Sequence, residues 1–71
     1  ESHLATAQLQ KVIFDAIENL PEELNVAVTL REFEGMSYEE IAEVMECPVG
    51  TVRSRIFRAR EAIEKSIEAI G

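Results

Sequence analysis

Residues 37–60 read SYEEIAEVMECPVGTVRSRIFRAR, two helical patterns separated by a break of about three residues. Ser37 followed three residues later by Glu40 has the form of a capping box, in which side chain and backbone satisfy each other's unpaired groups at a helix start. Ile41, Ala42 and Met45 then recur at helical spacing and predict a short helix over about Tyr38 to Met45. Glu46-Cys47 interrupts it, and Pro48, tolerated at the first position of a helix, opens the next one. Two helices joined so tightly form a helix-turn-helix, here about 37–60. Small Ala42 lets the two helices touch, and Val52, ten residues later, supplies the apolar contact back. Such motifs often carry glycine at the turn, whereas this chain has Glu46-Cys47-Pro48.

Outward from this hairpin the chain reads as helix. Upstream, Leu9, Val12, Ile13, Ala16, Ile17 and Leu20 form one apolar stripe, and Asn19-Leu20-Pro21 ends it. Pro21, Glu22 and Glu23 make a favourable first turn, because acids complement the positive end of the helix dipole. A second helix is expected from about Glu22 to Glu34, offering Leu24, Ala27, Val28, Leu30 and Phe33 for burial, with Gly35 as its C-terminal cap. Downstream, the fourth helix runs from about Pro48 to Ala69. The expectation is an all-α, small four-helix domain over residues 1–71, its last helix the recognition helix, with residues 1–3 as a remnant of an upstream linker.

Charge is unevenly placed. The net charge is −7, yet Arg53, Arg55, Arg58 and Arg60 fall within eight residues. Residues 1–50 carry two cations against eleven acids, a net −9, while residues 51–71 carry five cations against three acids, a net +2. DNA-binding domains are more often basic throughout. This distribution suits a module that meets DNA with one helix face and meets protein or solvent with the others.

At about 100° per residue, Val49, Val52, Ile56, Ala59, Ile63, Ile67 and Ile70 share one face of the fourth helix. Opposite lie Thr51, Ser54 and Arg58, with Phe57 and Arg55 toward the flanks. Arg53 and Arg60 border the apolar stripe, so Arg53 has to reach around the helix. An arginine fork gives two hydrogen bonds to guanine in the major groove, serine reaches base edges or phosphate, and phenylalanine touches a thymine methyl. Thr51, near the helix start, suits a phosphate oxygen. The plain alternative is a solvated face tied by pairs such as Arg60–Glu64 and Glu61–Lys65. The hairpin immediately upstream favours the DNA reading. Spacing alone leaves Phe57 equally suited to core or contact, makes Tyr38 a packing residue, and makes Cys47 a small buried filler or cap.

Seventy-one residues leave no room for a buried cleft of enzyme size. One cysteine and one histidine build neither a disulfide nor a zinc framework. No carboxylate pair stands near a nucleophile, so no catalytic residue, metal ligand or cofactor is expected. No apolar run approaches the roughly 20 residues of a membrane span, and the cytoplasm is the expected compartment.

The stretch LPEELNVAVTLREFEGMSYEEIAEVMECPVGTVRSRIFRAREAI resembles region 4 of bacterial sigma factors, most closely the extracytoplasmic-function group of sigma-E and AlgU type. The resemblance implies recognition of the promoter −35 element, in the major groove of double-stranded DNA, within an RNA polymerase holoenzyme. On matching positions it implies Arg53, Ser54, Phe57 and Arg58 near the bases, with Thr51, Arg55, Arg60, Arg31, Ser37 and Tyr38 at the DNA backbone. It also implies docking on the polymerase beta-subunit flap, sequestration by an anti-sigma factor and a monomeric isolated domain. Two other readings stand beside it. One is a protein-interaction module bound by an anti-sigma or polymerase segment; the other is the C-terminal domain of a two-component or quorum-type regulator, dimerising through its last helix.

Overall fold

The computed structural model describes the backbone of residues 2–70 and the side chains of residues 7–69. Four helices follow one another: α1 (Ser2–Glu18), α2 (Glu22–Glu32), α3 (Tyr38–Met45) and α4 (Val49–Ile70). Among the described residues there is no strand. The expected linker remnant begins at Glu1, which lies outside the described residues, as does the side chain of Ile70 in the predicted stripe.

Local chemistry sets each boundary. After α1, the Leu20 N–H returns to the Ile17 carbonyl at 3.1 Å, and the Asn25 side chain donates to the same carbonyl at 2.8 Å. A polar residue of α2 thereby satisfies the unpaired C-terminal end of α1. Pro21 and Pro48 stand one position before α2 and α4 rather than as their first residues, and each offers its carbonyl to the opening turn: Asn25 N–H to Pro21 at 2.9 Å, Val52 N–H to Pro48 at 3.2 Å. Missing an N–H is harmless there, because that donor has no helical partner anyway. The α2 helix stops two residues before the expected Glu34. Gly35 then takes φ 71°, which lets the Met36 N–H close back on the Leu30 carbonyl at 3.1 Å. At α3 the capping box is complete in both directions: Ser37 N–H to Glu40 Oε1 at 2.8 Å and Glu40 N–H to Ser37 Oγ at 3.1 Å.

The turn between α3 and α4 shows where a glycine would ordinarily stand. Glu46 adopts φ 55°, ψ 53°, the left-handed region, and allows the Cys47 N–H to bond the Ala42 carbonyl at 3.0 Å. This is a glycine-type helix stop made by a residue with a Cβ, at a cost of roughly 1–2 kcal/mol.

The long α4 is the spine of the packing. Its first half buries Val52 and Ile56 against Ala27, Ile41 and Ala42; its middle buries Ala59 against Ile17 and Val28. Ala27, Ile41, Val52 and Ala59 are completely inaccessible. Ala42 and Val52 occupy the helix contact expected of them. Phe33 and Leu9 differ from expectation. Phe33 is 55% exposed and stacks on Phe14, itself 53% exposed, at a centroid distance of 6.1 Å. It follows the last helical residue of α2, so the helix no longer carries its ring to the core. Leu9 is exposed because the packing of α1 against the bundle begins further along, at Ile13 and Ile17.

Candidate nucleic-acid interface

With Val49, Val52, Ile56 and Ala59 turned inward, the helical repeat turns Ser54, Phe57 and Arg58 outward and Arg53 to the side, and all four are exposed. Phe57, left undecided by spacing, is 63% exposed and is a surface residue. A helix face carrying a hydroxyl, an aromatic ring and a guanidinium within about two turns fits the major groove in width and in its hydrogen-bonding groups.

Beside this face lies an open cleft of about 640 Å³ whose lining includes Pro21, Glu23, Gly50, Thr51, Ser54 and Arg58. The N-terminal turns of α2 and α4 both border it, and N–H groups of a helix's first turn lack intrahelical acceptors. Together with the Thr51 and Ser54 hydroxyls these groups favour an anion. A Cβ placed on Gly50 would meet nothing within 4 Å beyond its chain neighbours and its own helical turn. Nothing internal therefore requires glycine there, although glycine weakens a helix. The space it leaves open faces the cleft.

The remaining arginines are held by the protein itself. The half-buried Arg55 folds back toward α3, its Nη1 lying 3.8 Å from Cys47 Sγ and 4.0 Å from Met45 Sδ. Cys47 is a half-buried free thiol beside the first core cluster, a filler as expected. Arg60 bonds Glu32 of α2 rather than Glu64, the partner that the plain alternative of a solvated face would give it. Its guanidinium pKa is raised above its ordinary value, first by the Glu32 hydrogen bond, with burial opposing and the charges of Glu32 and Tyr38 adding to the rise.

Arg31 donates from Nη1 to the Met36 carbonyl at 2.9 Å, and its Cζ lies 5.0 Å from the centre of the Tyr38 ring. Arg53 brings its Cζ to 5.7 Å from the same centre. The predicted site residues thus form two groups. Thr51, Ser54, Arg55 and Arg58 line the cleft, with Phe57 on the same outward face; Arg31, Ser37, Tyr38, Arg53 and Arg60 gather on the flank where α2, the start of α3 and α4 meet. Sequence reasoning passed over Glu32 and Gly50. Glu32 sits 28 residues from its partner and leaves no local signal. A glycine placed just after a proline at a helix start is a signal for Gly50. Among the described residues no group of side chains suits a metal ion, and no helix is long and apolar enough to cross a membrane.

The family described as Sigma-70, region 4 matches residues 10–63. The chain is 60% identical over 70 residues to the ECF RNA polymerase sigma-E factor of Haemophilus influenzae. It is 56% identical over the same length to the sigma-E factors of Escherichia coli and Salmonella typhimurium. Each alignment covers 99% of this chain but 37% of the relative, so the chain spans little more than a third of those proteins. The match favours the sigma-factor reading over a two-component or quorum-type regulator domain.

Proposed function

The chain belongs to the sigma-70 region 4 family, and from that premise we propose that it reads the promoter −35 element in the major groove as part of an RNA polymerase holoenzyme, directing transcription initiation. It acts by binding rather than catalysis, in the bacterial cytoplasm where the polymerase works. The observation that carries this reading is the exposed row Ser54, Phe57 and Arg58 on a helix whose opposite face, Val52, Ile56 and Ala59, is buried in the bundle. Ser54 and Arg58 meet base edges, Phe57 meets a thymine methyl, and Arg53 approaches from the α3 flank. Thr51 and the first turn of α4 receive a phosphate in the cleft. Arg31, Ser37, Arg55 and Arg60 supply the sequence-independent contacts that set register, with the Tyr38 ring beneath Arg31.

Protein partners use surfaces away from α4's outward face. The stacked Phe14–Phe33 pair and the cleft lined by Val26, Val44 and Met45 with Glu22 and Glu23 offer area to the polymerase flap and to an anti-sigma factor. The net −9 of residues 1–50 keeps these surfaces from competing for DNA. The isolated domain is a monomer.

Arg58→Ala tests the base-reading face. In holoenzyme carrying this variant, −35 duplex binding should weaken by about 1–3 kcal/mol, and discrimination should relax at one base pair. Equal affinity and unchanged sequence preference would reject the assigned face.

A further inference from the structure

Two helices send side chains to one aromatic ring carried by a third. Tyr38 opens α3, directly after the Ser37–Glu40 capping box that fixes the first turn, and its ring packs half-buried against the first core cluster. Over that ring lie the guanidinium carbons of Arg31, from α2, and Arg53, from α4, at 5.0 and 5.7 Å from its centre. Both distances fall within the roughly 6 Å over which a ring face attracts a cation. Arg31 is held from a second side by its bond to the Met36 carbonyl.

Two like charges repel, so gathering them on one exposed flank needs an attraction. The Tyr38 quadrupole supplies part of it, and the Met36 carbonyl holds Arg31 in place. Among the described residues neither arginine is ion-paired to a carboxylate, unlike neighbouring Arg60. Their charge remains available to an outside polyanion. Long side chains lose rotamer freedom when they bind; stacking on a fixed ring removes part of that freedom beforehand.

We propose that Tyr38 is a positioning residue, whose ring face preorganises Arg31 and Arg53 as a two-guanidinium clamp for the DNA phosphate backbone. The clamp rests on the promoter-binding reading above and assigns to the ring the role that a direct hydroxyl contact would otherwise fill. Two arginines from the helices that precede and follow α3, fixed against one ring, set the distance between α4 and the backbone strand. Tyr38 therefore governs affinity and register without reading sequence.

The test measures binding of holoenzyme to a −35 duplex and to a scrambled duplex across a salt series. Tyr38→Phe, which keeps the ring, should stay within about two-fold of the parent. Tyr38→Leu should weaken both duplexes by about five- to thirty-fold, because two rotamer-rich arginine side chains must then be immobilised on binding. It should also flatten the log–log salt dependence by about one to two phosphate contacts. The Tyr38→Leu and Arg53→Ala losses should be markedly less than additive in the double variant. If Tyr38→Leu does not fold, Tyr38→Met, which preserves apolar bulk, is read in the same way. A fall in Tyr38→Phe as large as in Tyr38→Leu would assign the contact to the hydroxyl and overturn the clamp. So would an unchanged salt slope or strict additivity. Failure of the underlying reading looks different: the unsubstituted holoenzyme would then bind −35 and scrambled duplexes alike.

Discussion

Glu32→Gln separates what the fold uses Arg60 for from what DNA uses it for. In the free protein the Arg60 guanidinium is hydrogen-bonded to the Glu32 carboxylate, with the two side chains 52% and 45% exposed. An ion pair this open contributes only about 0.2–1 kcal/mol to stability, so the variant should lose at most a few degrees in melting temperature. Toward DNA the sign reverses. Glu32 neutralises a cation beside the recognition helix and places a negative charge near the phosphates. Replacing it by a neutral amide of nearly equal shape frees one cation. Affinity for a −35 duplex should rise by about 1.5- to 5-fold, the same 0.2–1 kcal/mol converted at 1.4 kcal/mol per tenfold. The salt dependence should steepen by about 0.9 in log–log slope, one further phosphate being neutralised. The Arg60 pKa is raised in the folded protein, so its stabilising contribution is fully present below the ordinary arginine value. It is lost only as pH rises through the folded value, and the effect should therefore persist unchanged across neutral and mildly alkaline pH. Fluorescence anisotropy of labelled promoter duplex with holoenzyme, run at several salt concentrations, measures both quantities. Weaker binding, or equal affinity with an unchanged slope, would refute competition between Glu32 and phosphate for Arg60.

Two glycine substitutions probe the turn and the cleft. Glu46→Gly should stabilise the chain by about 0.5–1 kcal/mol, relief of left-handed strain outweighing glycine's entropic cost; thermal unfolding should show a rise of roughly 2–8 °C, and a fall would contradict the strained turn. Gly50→Ala should move stability and function in opposite directions. The added methyl meets nothing internal, so unfolding by urea should show a gain of some tenths of a kcal/mol. DNA binding should weaken by about 1 kcal/mol or more as the methyl crowds the phosphate backbone. A variant that is both more stable and fully competent for DNA would show that the cleft is not occupied.

Much of the architecture was legible along the chain because its causes lie within one or two turns. The capping box at Ser37, the prolines before α2 and α4, left-handed Gly35 and the 3.6-residue recurrence of Val52, Ile56 and Ala59 are all i to i+4 relations. They predict where helices begin, end and bury their stripes. The outward direction of Ser54 and Arg58 follows from the same repeat. Boundaries shifted by a residue or two, at Pro48 and Glu34, because a cap and a first turn differ by a single dihedral pair.

Pairings between helices left no trace in the sequence. Arg60 had a correctly spaced partner in Glu64 but bonds Glu32, because packing α2 against α4 brings that carboxylate closer. Arg53, facing sideways on the helix, reaches the Tyr38 ring on α3 and meets Arg31 there. Phe33 stacks on Phe14 at the surface because α2 ends before it. The chain alone determined four helices, their caps and the helix face that carries its chemistry, since each depends on neighbours a few residues away. Only the tertiary structure decided which cations are held and which stand free, because contacts across tens of residues depend on how the helices pack.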